Sequence, residues 1–281
     1  MKRYRVTNID FDSRAQILDM AISDSREPEV QEMHESNLIS TVQGLVTQYG
    51  AGSSEQKIQN FRDMKSAPFS ILAYHNKFAF QVRNAFAIGS YYPALTGACA
   101  LGERILNHLV INLREKYRHT KEYKRVHDKS SFANWDRTID VLESWGVLLP
   151  EVTSKFRELS TLRNSSIHFD PSTDTNDRDL ALESIKVLSF IIGEQFGGSG
   201  GQPWFIPNIR GASFIKKEAE TNPFVEIVYL PNCALVGPYH RLELTPTQEG
   251  TAVKVIDDYQ YEEKEISDGE FAELYNKQRL R

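Results

Sequence analysis

The sequence predicts a mainly α protein, with a five-helix bundle over residues 66–196 and a small β-rich (α+β) domain over 203–281 that ends in a helix. Three observations lead there. Apolar residues recur in steps of three and four through the middle of the chain, the period of one helical face. The run Gly197-Gly198-Ser199-Gly200-Gly201 then interrupts them and reads as a flexible linker over 197–202. Beyond it the texture changes to β-branched and aromatic segments punctuated by Pro203, Pro207, Pro223, Pro231, Pro238 and Pro246.

The first helix carries Ile71, His75, Phe78, Val82 and Ala85, with Pro68 near its start, and Gly89-Ser90 breaks it. The second, from about Tyr92, carries Leu95, Cys99, Gly102, Leu106, Leu109 and Leu113. Ala94, Ala98, Leu101 and Ile105 give it a second apolar face, so burial on two sides is expected. Phe132, Trp135, Ile139 and Leu142 mark a shorter third helix, ended around Gly146 and Pro150. The fourth runs from Val152 to Ile167. Pro171 and a polar run separate it from the fifth, striped by Ala181, Ile185, Leu188 and Ile192. In the last domain, Phe224–Leu230 and Thr251–Ile256 read as strands, and Ser267-Asp268-Gly269-Glu270 as a capping box opening the closing helix. Residues 1–60 form an N-terminal extension of strand (Tyr4–Phe11) plus helix (Val30–Tyr49), suited to packing on the C-terminal domain.

Composition is that of a globular protein: 281 residues, 25% charged and 40% hydrophobic. No apolar run is long enough to span a bilayer, and no apolar segment follows the basic N-terminus as in a signal peptide. The two cysteines, Cys99 and Cys233, form no CxxC and no Cys/His cluster, which argues against a zinc site and a disulfide scaffold. A cytoplasmic protein with no metal, no cofactor and no membrane partner is expected. A net charge of −5 is not the footprint of a general nucleic-acid binder. Between Arg114 and Lys129, however, seven Lys/Arg stand against three Asp/Glu, with Tyr117, His119, Tyr123 and His127 interleaved. Such a strip, with Lys121, Lys124 and Arg125 at its centre, suits phosphate tracking and base stacking; it also suits an ordinary solvated surface.

The fourth helix holds the most informative residues. Its stripe reads Val152, Phe156, Leu159, Arg163, Ile167, so Arg163 occupies a position that calls for an apolar side chain. A guanidinium there needs a carboxylate or phosphate partner. Asn164 and His168, four apart, share one helical face beside it. A permanent cation, an amide and an imidazole titrating near neutrality suit a phosphodiester. The plainer reading of Arg163 is an ion pair with Glu103 on the second helix, and that of His168 is a helix-end packing residue. His75, His108 and Cys99 read as core or surface residues, and Cys233, Tyr239 and His240 make only a weak second cluster.

Placed on the penultimate helix, Arg163-Asn164-Ser165-Ser166-Ile167-His168 resembles the Arg-x4-His motif of HEPN-domain proteins, whose bundles have four to five helices. Asn164 matches a frequent refinement of that motif, and Tyr91–Glu103 resembles the family's long second helix. The likeness covers about 130 residues and leaves both terminal segments unexplained. It implies a metal-independent endoribonuclease, a homodimer bringing two motifs together, and a place in antiphage defence, abortive infection or a toxin–antitoxin system with an antitoxin or regulatory partner. His168 would transfer protons, Arg163 would offset phosphoryl charge and Asn164 would position His168 or donate to phosphate, with Glu103 in support and Lys121, Lys124 and Arg125 contacting RNA. Asp170 stands where a subgroup of toxins carries a modified Tyr, so that form of control is not implied. Two rivals remain: a catalytically silent HEPN module holding a nucleotide or phosphate ligand, and a dimerisation scaffold for the C-terminal domain.

Overall fold

A computed structural model describes residues 1–21, 26–128, 134–167, 173–247, 250–257 and 264–278. It is mainly helical, with small two-stranded antiparallel sheets. The chain opens with β1 (Arg3–Val6), β2 (Ile9–Asp12), α1 (Arg14–Asp19), α2 (Pro28–Tyr49) and α3 (Ser54–Asp63). The single strand expected over Tyr4–Phe11 is two. Between them the N–H groups of Thr7 and Asn8 both donate to Asn232 O, which turns the chain. β1 pairs with β4 (Cys233–Val236) and β2 with β3 (Ala67–Ile71), so the N-terminal extension is stitched to both halves of the molecule.

The bundle follows: α4 (Tyr74–Ala87), α5 (Tyr91–Leu113), α6 (Trp135–Ser144), α7 (Pro150–Ile167) and α8 (Thr173–Gln195). Pro68 does not start a helix, contrary to expectation. It lies in β3 opposite the register shift between Asp10 and Asp12, where the ladder needs no donor from it. Pro150 opens α7, and Gly146, in the left-handed region at φ 65°, closes the turn after α6. α5 is the central helix, packed on α4, α6, α7 and α8. Both of its apolar faces are buried, from Ala94 and Leu95 through to Leu113. Gly102 permits this closeness: a Cβ there would lie 2.5 Å from Leu159 Cδ2 and 2.9 Å from Trp135 Cη2.

The glycine run is not a free linker. Gly197 bridges Ser70 on β3, and Gly198 N–H donates to Phe69 O at 3.1 Å. A Cβ on Gly197 would meet Gly193 O and Gln202 Nε2, each at 2.3 Å, so these glycines serve close packing rather than freedom. The core runs on past them: Trp204, Phe205, Phe224 and Tyr229 join the bundle's apolar cluster. Tyr229 OH donates to Gln195 O and Gly197 O at 3.1 and 3.0 Å.

The strand expected over Phe224–Leu230 is instead a π-helical turn, Val225–Tyr229. The Asn222 side chain accepts from the N–H groups of Phe224 and Val225, and the wide turn brings Phe224 and Tyr229, five apart, into the same core. Tertiary packing overrides the β texture there. β5 (Arg241–Thr247) and β6 (Gly250–Ile256) form a hairpin, and the Thr251–Ile256 strand lies where its texture predicts it. α9 (Asp268–Gln278) opens on a reciprocal Ser267/Glu270 cap and packs in a second, smaller core with Phe214, Val236 and Tyr275. Among the described residues no helix is long and apolar enough to cross a membrane.

Candidate active site

α7 buries Val152, Phe156 and Leu159 completely, and one turn later the same stripe delivers Arg163 to the junction of α5 and α6. Its Nε lies 3.3 Å from Glu103 Oε2. Glu103 also accepts from Trp135 Nε1 at 3.2 Å. Trp135 is set by the α6 N-cap, where Asn134 Oδ1 accepts from Arg137 N–H at 3.1 Å. Three helices thus meet at one carboxylate. The pair is not sealed: the side chains of Arg163 and Glu103 are 29% and 32% exposed. Nε is too poorly aligned on Glu103 for a hydrogen bond, and the Nη groups of Arg163 donate to no described residue.

Asn164 is exposed on the next position of the helix. Ser165 and Ser166 turn their hydroxyls back onto the carbonyls of Leu162 and Arg163, at 2.9 and 3.0 Å. Beneath them lies Cys99, buried, its thiol pushed above its ordinary pKa by that burial and contacted by Ser166 and Ser184. Cys99 is a core residue, as its place in the stripe implies. His168 lies outside the described residues.

The structure pairs Arg163 with Glu103, and Asn164 follows Arg163 at an exposed position of α7. It does not bring the basic strip to them. Leu159 faces Gly102 while Ser166 faces Cys99, so α7 runs antiparallel to α5. Arg114 lies eleven residues beyond Glu103, a distance of about 16 Å along a helix. The strip packs at that far end: Tyr117 stacks on Trp145 at 4.6 Å, and Trp145 Nε1 donates to Thr120 Oγ1 at 3.0 Å. Trp135 and Trp145 therefore mark opposite ends of α6, one beside the motif and one beside the strip. Lys116 is paired with Glu226 at 2.8 Å, Arg118 with Glu115, and Lys121 with Glu122 at 3.8 Å. Lys124 and Arg125 are exposed and have no ion pair among the described residues. Lys129 lies outside the described residues.

The weak second cluster separates. Cys233 Sγ donates to Tyr229 O at 3.2 Å, and burial pushes the thiol up to about 12. His240 is buried between Arg5 Nη1 and Gly237 O, which accepts from its Nδ1 at 2.7 Å. Both are structural. The part of the site missing from the sequence reading is Trp135, whose apolar periodicity concealed the use of its N–H. Among the described residues no group of three or more His, Cys, Asp or Glu is arranged to hold a metal ion. Comparison with family models, curated proteins and solved structures finds no match to this chain.

Proposed function

We propose that this chain is a metal-independent endoribonuclease of the HEPN type whose site is Arg163, Asn164 and His168. The observation that carries the reading is the partly exposed Arg163, ion-paired with Glu103 at its Nε edge while its Nη groups meet no described residue and suit an anion. An arginine serving stability alone would be expected to spend its donors on buried protein acceptors. Here a phosphoryl group is the fitting partner, since guanidinium binds it through two parallel N–H donors.

The reaction is an internal transesterification. The ribose 2′-oxygen bonds to the adjacent phosphorus, its proton passes to a base, and the bond to the 5′-oxygen breaks as that oxygen takes a proton. The unperturbed imidazole pKa lies near neutrality, so a histidine in the position of His168 suits either transfer. One imidazole cannot begin as both base and acid, so the pairing of two motifs in a homodimer that the HEPN resemblance implies would supply both. Arg163 offsets the charge that builds on the phosphoryl oxygens. Both apolar faces of α5 are covered inside the protomer, so the dimer rests on this chemistry. The same resemblance places the activity in defence or a toxin–antitoxin pair, with an antitoxin or regulatory protein as its partner.

A second reading, a catalytically silent module holding a nucleotide or phosphate, draws support from the distance between motif and strip. Product analysis separates the two. Purified protein incubated with RNA in EDTA should yield 2′,3′-cyclic phosphate ends; a silent module yields none.

A further inference from the structure

Besides its two buried faces, α5 has a third. Ala100, Arg104, Asn107 and Ile111 follow one another at steps of four, three and four, so they form one stripe. None of them is buried, and Ile111 is 38% exposed. Glu103, one residue before Arg104, and His108, one after Asn107, lie on either side of this stripe. Glu103 meets Trp135 of α6 and Arg163 of α7. The His108 ring stacks on Tyr74 of α4 at 3.8 Å. The stripe is therefore a floor open to solvent, with α4 along one side and α6 along the other. It passes Arg163 and runs on to Arg114, where the basic strip begins.

The charges along it select the occupant. Arg104 is exposed, and its guanidinium lies over the ring of Phe78 on α4, 4.8 Å from the centroid. Among the described residues it has no ion pair. An arginine steadied on a ring in this way keeps its N–H donors for an anion. The nearby carboxylates are engaged: Glu103 with Arg163, and Asp136, Asp140 and Glu143 of α6 with Arg157 of α7 at 4.0, 2.8 and 3.3 Å. Desolvation and the neighbouring Arg104 lower the pKa of His108, so at pH 7 it adds a neutral ring and no charge. Cations spaced along a floor, with aromatic rings beside them, suit a single nucleic-acid strand.

We infer that a single RNA strand with one phosphate at Arg163 lies along this stripe, gives its neighbouring phosphate to Arg104, and passes Asn107 and Ile111 to reach the basic strip. The inference rests on the nuclease reading and gives its substrate a path. Its test is fluorescence anisotropy of the full chain with a labelled 2′-O-methyl RNA dodecanucleotide, which has no 2′-hydroxyl to attack, across a salt series. Arg104→Gln should weaken binding about fivefold at 0.1 M salt and lower the salt slope by about 0.7, the share of one phosphate. Ile111→Glu, at a partly exposed position, sets a carboxylate on the path and should also weaken binding. Lys254→Gln makes the same charge change as Arg104→Gln on the exposed β5–β6 hairpin and should leave binding as it is. Matching thermal melts show that the fold is kept. A wild type that cuts RNA while Arg104→Gln and Ile111→Glu keep its affinity and salt slope would overturn the path alone. So would an Ile111→Glu variant that changes oligomeric state at unchanged RNA affinity, which would make the stripe an interface between copies. A wild type that neither cuts RNA nor binds the oligonucleotide would overturn the nuclease reading and the path with it.

Discussion

Arg163 and Glu103 face each other across α7 and α5 with 3.3 Å between Nε and Oε2, about a third exposed, and with Trp135 Nε1 donating to the same carboxylate oxygen. A pair so hydrated contributes little to stability, on the order of 1 kcal/mol or less. Its effect is positional: the ion pair lies along the Nε edge of the guanidinium, and the Nη groups meet no described residue.

Glu103→Gln should therefore lower stability by less than about 1 kcal/mol, read as a small shift in urea midpoint at unchanged slope. The substitution keeps an acceptor for Trp135. A loss of several kcal/mol would show instead that the pair behaves as a buried structural bridge.

Gly102→Ala should destabilise the protein by about 1–3 kcal/mol, because its methyl would sit 2.5 Å from Leu159 Cδ2 and 2.9 Å from Trp135 Cη2. Gly44→Ala, inside α2 with no atom within 4 Å of the new methyl, should stabilise by about 0.5–1 kcal/mol. Thermal melts of the two variants should move in opposite directions. Equal stabilisation would contradict the close approach of α5, α6 and α7.

His75 predicts a pH dependence. Its folded pKa is depressed to about 4 from 6.5, so between these values the unfolded chain binds the extra proton. Stability is then full above about pH 6.5 and falls as the pH drops toward 4, by a few kcal/mol at most. Urea denaturation at pH 7, 5.5 and 4.5 should show the fall, and His75→Leu should flatten it. A wild-type profile no steeper than that of the variant would contradict the buried neutral imidazole.

The strip's distance from the motif makes a length-dependent prediction. Replacing Lys121, Lys124 and Arg125 by Gln should weaken binding of a long RNA and reduce its salt slope by up to about 2, at roughly 0.7 per phosphate. Turnover of a dinucleotide too short to reach the strip should not change. An unaltered slope with long RNA would leave the strip an ordinary solvated surface.

Helices α5 to α8 are legible in the sequence because each carries an apolar stripe facing a single core, that of α7 broken only at Arg163. Pro68, Phe224–Leu230 and Gly197-Gly198 were not legible, for one shared reason: long-range pairing decides them. Pro68 fits a strand because β2 is irregular opposite it, the aromatic run coils because Asn222 caps it, and the glycines are needed where β3 passes. α3 has too few apolar residues to form a stripe. At the site, the Arg163–Glu103 pairing follows from an arginine on an apolar stripe and a carboxylate on the neighbouring helix. The separation of motif and strip follows only from the antiparallel sense of α5 and α7, which no local pattern reports.

The central claim is that His168 moves a proton in RNA cleavage, and His168→Ala tests it most directly. Single-turnover cleavage of one RNA by wild type and variant, in EDTA and at matched melting temperature, is the measurement. Loss of about 10²–10⁴-fold in rate with the fold retained is the predicted result. A variant that cuts as fast as the wild type would contradict it.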